Sequence, residues 1–220
     1  MREIRHIIWD WNGTLLDDGN LTVRAAQAAL AAVGHPMELT RPIWRQVATR
    51  PLEITYEKLA GTTLTASQWQ TINTVWLETY LAGFGEVALN PLARPALAEA
   101  AAHGLTQSIV SLHFEKELLH DVAALGVDGY FTSVTGSHGG GIGVSLSKAD
   151  IVQNQLAELG IEPQQALMIG DMKDDGDEAT KAGVPAILVS TGDTSRERLV
   201  ASGYPIADSL LDAVQMTSLI

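Results

Sequence analysis

Carboxylates that follow directly on apolar runs are the groups in this chain best placed to do chemistry, and they occur twice. His6-Ile7-Ile8-Trp9 runs into Asp10 and then Trp11-Asn12-Gly13-Thr14, and Ala166-Leu167-Met168-Ile169-Gly170 runs into Asp171, with Asp174, Asp175 and Asp177 close behind. A β-branched and aromatic run reads as a buried strand, and Asn-Gly breaks it with residues that tolerate unusual backbone angles. A strand is therefore predicted to end at Asp10. Two strands of one parallel sheet that end side by side bring both acids to the same edge. Carboxylates gathered there repel one another unless a cation lies between them. An all-oxygen site suits Mg2+, which takes one or two carboxylates together with waters and substrate phosphate.

The rhythm of the chain supplies the elements that must hold these groups. Residues 1 to about 17 carry the first strand, and Asn20 to Gly34 reads as a helix with Leu30 and Val33 among many alanines. From there to about residue 85 the chain is predicted helical throughout: it holds Trp44, Trp69 and Trp76, has caps such as Ser67, and lacks strand alternation. From Pro91 helix and strand take turns: Pro95 to His103, Leu105 to Val110, Glu115 to Leu125, Tyr130 to Val134, Lys148 to Leu159, Ala166 to Ile169, Glu178 to Ala182 and Pro185 to Val189. Strands separated by helices of this length form a parallel sheet covered on both faces. The helical stretch is then an insertion after the first strand, dividing the chain into an α/β core, residues 1–17 and 86–220, and a helical unit, residues 18–85.

Asp10, Asn12 and Thr14 match an Asp-x-Asp-x-Thr motif, with Asn in place of the second Asp. Ser111 closes the run Gln107-Ser108-Ile109-Val110, Lys148 stands in Leu146-Ser147-Lys148-Ala149-Asp150, and Gly170-Asp171 is followed by Asp175 and Ala182-Gly183. In order and spacing these motifs resemble the haloacid dehalogenase superfamily of phosphohydrolases over nearly the whole chain. The resemblance implies a Rossmann-like α/β core with an inserted all-helical cap domain that closes over the active site and selects substrates. It also implies that Asp10 attacks phosphorus and forms an aspartyl phosphate that water hydrolyses. Mg2+ would be held by Asp10, Asp171 and the backbone carbonyl of Asn12, with Asp175 holding Lys148 or a metal-bound water. Thr14, Ser111 and Lys148 would neutralise and orient the phosphoryl oxygens, and Ser111, Leu112, Lys148 and the cap residue Arg50 are the expected substrate contacts.

Asn12 is the departure from that pattern. In the family's phosphatases the matching Asp protonates the leaving alkoxide and later activates water, help typically worth about 100- to 10,000-fold. A neutral amide does neither. One reading is a phosphatase of a small phosphate ester or acyl phosphate that is slow, or biased to good leaving groups, in which Asn12→Asp speeds hydrolysis of alkyl esters. A second is a phosphonate hydrolase-like enzyme, whose Schiff-base lysine would have to be Lys58, beyond the Arg50-Pro51-Leu52 segment where it is expected. A dehalogenase needs no metal and so no acids around Asp171. The last reading is a non-catalytic relative that binds phosphate or a partner. Taken singly, Thr14 and Ser111 could satisfy turn amides, Lys148 could be a solvated helix-start lysine and Asp175 a helix cap.

Composition narrows the partners. A net charge of −12 with no basic cluster argues against nucleic acid, since phosphate-backbone binding needs a basic face. The absence of cysteine fits a reducing cytosol, and no early apolar run resembles a signal peptide or a membrane span, so a cytoplasmic monomer or homodimer without membrane contact is expected. The run Gly139-Gly140-Gly141-Ile142-Gly143 lacks the ending of a phosphate loop and reads as a flexible connection. His113 reads as a solvated loop histidine. Trp9 and Trp11 are expected to divide, one into the core and one toward cap or substrate.

Overall fold

The computed structural model describes residues 3–137 and 147–219, so the glycine run at 139–143 lies outside the described residues. The chain passes through β1 (His6–Trp9) and β2 (Leu16–Asp17) into four helices, α1 (Gly19–Ala32), α2 (Arg41–Val47), α3 (Leu52–Ala60) and α4 (Ala66–Gly83). It returns by β3 (Ala88–Leu89) and continues through α5 (Ala93–Ala102), β4 (Thr106–Phe114), α6 (Glu115–Ala124) and β5 (Ser133–Ser137). Beyond residue 147 come α7 (Lys148–Leu159), β6 (Ala166–Gly170), α8 (Lys173–Lys181), β7 (Ala186–Val189), α9 (Arg196–Val200), β8 (Ile206–Ala207) and α10 (Leu210–Met216).

Every residue of β1 is buried, and the strand takes a parallel partner on each edge, with His6 opposite Thr106 of β4 and Ala166 of β6. The full order, β5-β4-β1-β6-β7-β8, is parallel throughout. Alternation sorts side chains between two faces. Ile7, Trp9, Ile109 and Ile169 pack with Leu97 of α5 and Ala213 of α10, while Ile8, Val110 and Met168 pack with Val152 of α7 and Ala179 of α8. Trp11 joins the same cluster as Trp9, and both are fully buried. The expected division between them fails: β1 ends at Trp9, and Trp11, in the turn after Asp10, packs into the same side of the core. Strand order reverses at β1, with β4 on one side and β6 on the other. Such a switch point opens a crevice at the carboxyl ends of the strands.

α1 to α4 form a helical cap with its own core of Val23, Leu30, Trp44, Tyr56 and Ile72. Tyr56 meets the edges of Trp44 and Trp69 at ring-centroid separations of 6.3 and 5.7 Å. α4 is capped by Thr65 rather than Ser67: the Thr65 hydroxyl accepts the Gln68 N–H at 3.3 Å, and the Gln68 side chain accepts the Thr65 N–H at 2.9 Å. Two short strands flank the helices, β2 pairing antiparallel with β3 so that Leu16 faces Leu89. The strand expected over Tyr130 to Val134 starts at Ser133, because Asp128–Tyr130 is a 3-10 turn, and the helix expected from Glu178 starts at Lys173. No described helix is long and apolar enough to cross a membrane.

His6 is a polar residue inside this sheet, fully buried, with Nδ1 2.8 Å from Thr106 Oγ1 and Nε2 2.8 Å from Ser108 Oγ. Ser108 donates its own proton to Gln155 Oε1 at 2.6 Å, so Nε2–H donates to Ser108, while the Thr106 hydroxyl beside Nδ1 also reaches the Arg5 carbonyl at 3.2 Å. Burial lowers the imidazole to about 4. The unfolded chain then binds the extra proton between pH 6.5 and 4, so this contribution is full above 6.5 and lost as pH falls through about 4. Urea unfolding of wild type beside His6→Gln is expected to show about 3 kcal/mol of acid-linked stability loss in wild type alone. Parallel pH curves for the two proteins would contradict this.

Candidate active site

The carboxyl ends of β1 and β6 and the amino ends of α7 and α8 meet at the switch point. Asp10 directly follows β1, Asp171 directly follows β6, Lys148 opens α7 and Asp175 lies in the first turn of α8. Lys148 Nζ donates to Asp10 Oδ1 at 2.6 Å and to Asp175 Oδ1 at 2.5 Å. Asp175 Oδ2 accepts the backbone N–H groups of Asp171 and Met172 at 3.1 and 2.9 Å. The Thr14 hydroxyl lies 3.3 Å from both Asp10 Oδ2 and Asp171 Oδ1, and the Asp193 N–H donates to Asp171 Oδ2. All these side chains except that of Asp193 are buried; Asp10, at 7 %, is the most exposed of them. The expected residues Asp10, Thr14, Lys148, Asp171 and Asp175 thus form one cluster.

The other expected residues stand at its margin. Ser111 is buried on β4, where its Oγ accepts the His113 N–H at 3.1 Å, and Leu112 beside it is half-buried. Arg50, between α2 and α3, lies 3.9 Å from Asp174 Oδ2 and is near enough to lower the Asp10 carboxyl. His113 is not solvated: its ring is 6.1 Å from that of Tyr80, and Nε2 is 3.5 Å from Asp121 Oδ2, because β4 runs on past Ser111 to Phe114. Lys58 is exposed on α3.

Charge explains how these groups titrate. Burial pushes the Asp10 carboxyl up to about 6, against the pull of Lys148 and with Asp175 adding to the rise. Burial by itself would lower the Lys148 ammonium, but Asp10 and Asp175 outweigh it and hold it above its usual range. Asp171 is driven well above the carboxylate range by burial, then by Asp193, Asp175 and Asp10. Its hydrogen-bond donors are a hydroxyl and an amide, with no cationic side chain bonded to it among the described residues. Oxygens of Asp10, Asp171 and Asp175 all lie within 4.8 Å of one another. A buried carboxylate with only neutral donors, among other acids, fits a hard divalent cation. Glycine keeps this space open, since a Cβ on Gly192 would fall 2.1 Å from Asp171 Oδ2 and one on Gly13 2.7 Å from it.

Asn12 is held from behind. Its Nδ2 donates to Asp18 Oδ2 at 2.8 Å and to the Tyr80 hydroxyl at 2.9 Å, and that hydroxyl donates to Asp18 Oδ2 at 2.7 Å. Asp18 Oδ1 accepts the Gly13 N–H at 2.9 Å. Tyr80, on α4, stacks on Trp76 with centroids 4.8 Å apart. Both N–H bonds of the amide are therefore spent on the cap side. Asp18, Tyr80 and Asp193 have no place among the sequence expectations. Asp193 had a signal, because Thr191-Gly192-Asp193 follows the buried strand β7 in the way Asp171 follows β6.

Residues 7–189 match the family described as haloacid dehalogenase-like hydrolase. The tyrosine-protein kinase PtkA of Mycobacterium tuberculosis and of Mycobacterium bovis is 25% identical over 186 residues, 84% of this chain. The chain spans 62% of the length of these curated relatives. Among solved structures, a predicted phosphatase from Clostridium acetobutylicum aligns with TM-score 0.84 at 18% identity over 100% of both chains. A haloacid dehalogenase-like hydrolase from Streptococcus pneumoniae aligns with TM-score 0.80 at 23% identity, over 98% of this chain and 99% of that one. Protein Tyrosine Kinase A of M. tuberculosis aligns with TM-score 0.80 at 21% identity over 99% of each. These structural likenesses concern the fold.

Proposed function

The chain belongs to the haloacid dehalogenase-like hydrolases, and from that membership we propose that it is a magnesium-dependent phosphohydrolase of a small phosphorylated metabolite, working through an aspartyl phosphate on Asp10. One arrangement carries the reading: Asp10, Asp171 and Asp175 offer oxygens within 4.8 Å of one another, and Lys148 bonds to two of the three. In this reading residues 1–17 and 86–220 are the catalytic core and residues 18–85 the cap.

Asp10, Asp171 and the backbone carbonyl of Asn12 would hold Mg2+, which when bound offsets the charge of carboxylate and phosphate and polarises the phosphoryl group. Asp175 has both oxygens committed, so its part is to hold Lys148 and the turn at Asp171 and Met172. Asp10 Oδ2, met among the described residues only by the Thr14 hydroxyl, is the oxygen left to attack phosphorus while the leaving oxygen departs with its bonding pair. Lys148, Thr14 and Ser111 donate to the phosphoryl oxygens as charge shifts among them. Arg50 and Leu112 meet the remainder of the substrate. The Asn12 amide neither gives a proton to the departing oxygen nor takes one from water. Acyl and aryl phosphates, whose leaving groups depart without protonation, suit such a site.

A second reading, in keeping with relatives named as tyrosine kinases, is attack on the aspartyl phosphate by a phenolate that has given its proton to solvent, the Asp10 carboxylate leaving with the bonding pair. An exposed Lys58 gives no comparable support to phosphonate chemistry. The test is phosphate release from p-nitrophenyl phosphate and acetyl phosphate, with Mg2+ and with EDTA, for wild type and Asp10→Asn. Release that needs Mg2+ and disappears in Asp10→Asn is the expected result. No release from either compound would overturn the hydrolase reading, and phosphorylation of an added tyrosyl peptide would establish the second.

A further inference from the structure

The loop between β7 and α9, residues 190–195, touches both the acidic cluster and the cap, and it has no helix or strand of its own to fix its shape. On its inner side the Asp193 N–H donates to Asp171 Oδ2, and a Cβ on Gly192 would fall 2.1 Å from the same oxygen. On its outer side the carbonyls turn to α2. Arg45 Nη2 donates to the Ser190 carbonyl at 2.6 Å and to the Thr194 carbonyl at 3.1 Å, and Arg41 Nη2 donates to that of Thr191 at 3.3 Å. The Ser195 N–H donates back to the Arg45 carbonyl at 3.0 Å. Arg198, on α9, closes the seam by donating to the carbonyls of Arg45 and Ala48 at 3.1 and 2.7 Å.

One nitrogen of Arg45 thus bridges two carbonyls four positions apart and sets the span of the loop between them. Asp193 is carried within that span. Its amide takes Asp171 Oδ2 and leaves Oδ1 on the side of Asp10, 3.3 Å from the Thr14 hydroxyl that also reaches Asp10 Oδ2. Met172, next to Asp171, packs against the cap core as well. A donor behind a carboxylate orients it before any ligand arrives, and removing such a partner typically costs about 10- to 100-fold in metal affinity. We propose that Arg45 is a positioning residue for the Asp171 carboxylate: from the cap it fixes the loop whose Asp193 N–H aims that carboxylate, so that docking of α2 on the core and loading of the cation are linked. Such linkage is reciprocal, and whatever α2 docking adds to the affinity for the cation, the cation adds to docking. Asp171 as a ligand of Mg2+ is taken from the proposed function; a part for a cap residue in that site goes beyond it.

Calorimetric titration of the full chain with MgCl2, without substrate, measures the effect, and the heat that Asp171→Asn removes reports the site. Arg45→Met is expected to bind Mg2+ about fivefold or more weakly than wild type. A side chain that served only the fold would lower the urea midpoint and leave the affinity of the folded protein alone. Hydrogen exchange gives the reciprocal reading: Mg2+ should slow amide exchange across Arg41–Val47 and residues 190–195 in wild type, and should do so less in Arg45→Met. Equal Mg2+ affinity in wild type and folded Arg45→Met overturns the proposal and leaves the magnesium site standing, whereas no Mg2+ heat in wild type removes the site itself and the proposal with it. Should Arg45→Met fail to fold, exchange in wild type decides, and α2 amides indifferent to Mg2+ overturn the proposal equally.

Discussion

Asn12→Asp alone is expected to leave alkyl phosphate hydrolysis nearly unchanged, whereas Asn12→Asp combined with Asp18→Asn should raise it by about 100- to 10,000-fold. The difference lies behind residue 12, where Asp18 Oδ2 accepts from the Asn12 amide at 2.8 Å and from the Tyr80 hydroxyl at 2.7 Å. An aspartate at position 12 turns that donor into a second acceptor. Two carboxylates so close repel by about 4 kcal/mol or more at an effective dielectric constant of ~20, unless they share a proton. A shared proton points at Asp18 and away from the leaving group. Asparagine at position 18 removes the competing charge and supplies a donor, which frees the new acid for the substrate. The expectation from sequence, that Asn12→Asp by itself restores speed, is thereby narrowed. Two measurements check it: kcat on glycerol 2-phosphate for the four proteins of the cycle, and their urea unfolding. Full gain in the single variant, or unfolding free energies that simply add, would sink the idea.

Lys148→Met is expected to abolish turnover and to destabilise the protein by about 3–5 kcal/mol near neutral pH. The ammonium is buried and bonds to two buried carboxylates at 2.6 and 2.5 Å, with Asp171 close to both. Removing it leaves buried acids without a counter-charge. They respond by taking up protons, and a carboxyl whose folded pKa rises further above its unfolded value stabilises the fold only at low pH. The loss should therefore shrink from pH 8 toward pH 5. Mg2+ supplies the missing positive charge, so the variant should gain more stability from the ion than wild type does. Urea midpoints at both pH values, with Mg2+ and with EDTA, test this, and unchanged stability in EDTA at pH 8 would refute it.

Burial decides what the sequence reveals. β1 and β6 are covered on both faces, so their apolar runs and the acids that end them stand out, and the helix predicted from Lys148 to Leu159 has those limits. Lys148 and Asp175 can be read because one opens a helix and the other follows Asp171 by a single helical turn. Asp18 and Tyr80 cannot, since their bond joins residues 62 positions apart and leaves no periodic trace. The seam arginines are hidden for the same reason. Arg45 looks like any helix-surface arginine until the carbonyls of Ser190 and Thr194 come to meet it. β2 and β3 are too short to show alternation, whereas Ser111-Leu112-His113-Phe114 does alternate polar and apolar, a signal that carries β4 on past Ser111 to His113.

The small ribbon of β2 and β3 bears on how the chain reaches its native state. Pairing His6 with Thr106 closes a loop of 100 residues, and such long-range parallel contacts slow folding. Leu16 and Leu89 already face each other across the ribbon, and α1 packs along α4 between them. Once those helices pair, only the short arms from His6 to Leu16 and from Leu89 to Thr106 remain to be closed. That lowers the closure entropy by about 1 kcal/mol. The long excursion of the chain thus becomes a local hairpin, and the order it favours is helices first, central strands afterwards.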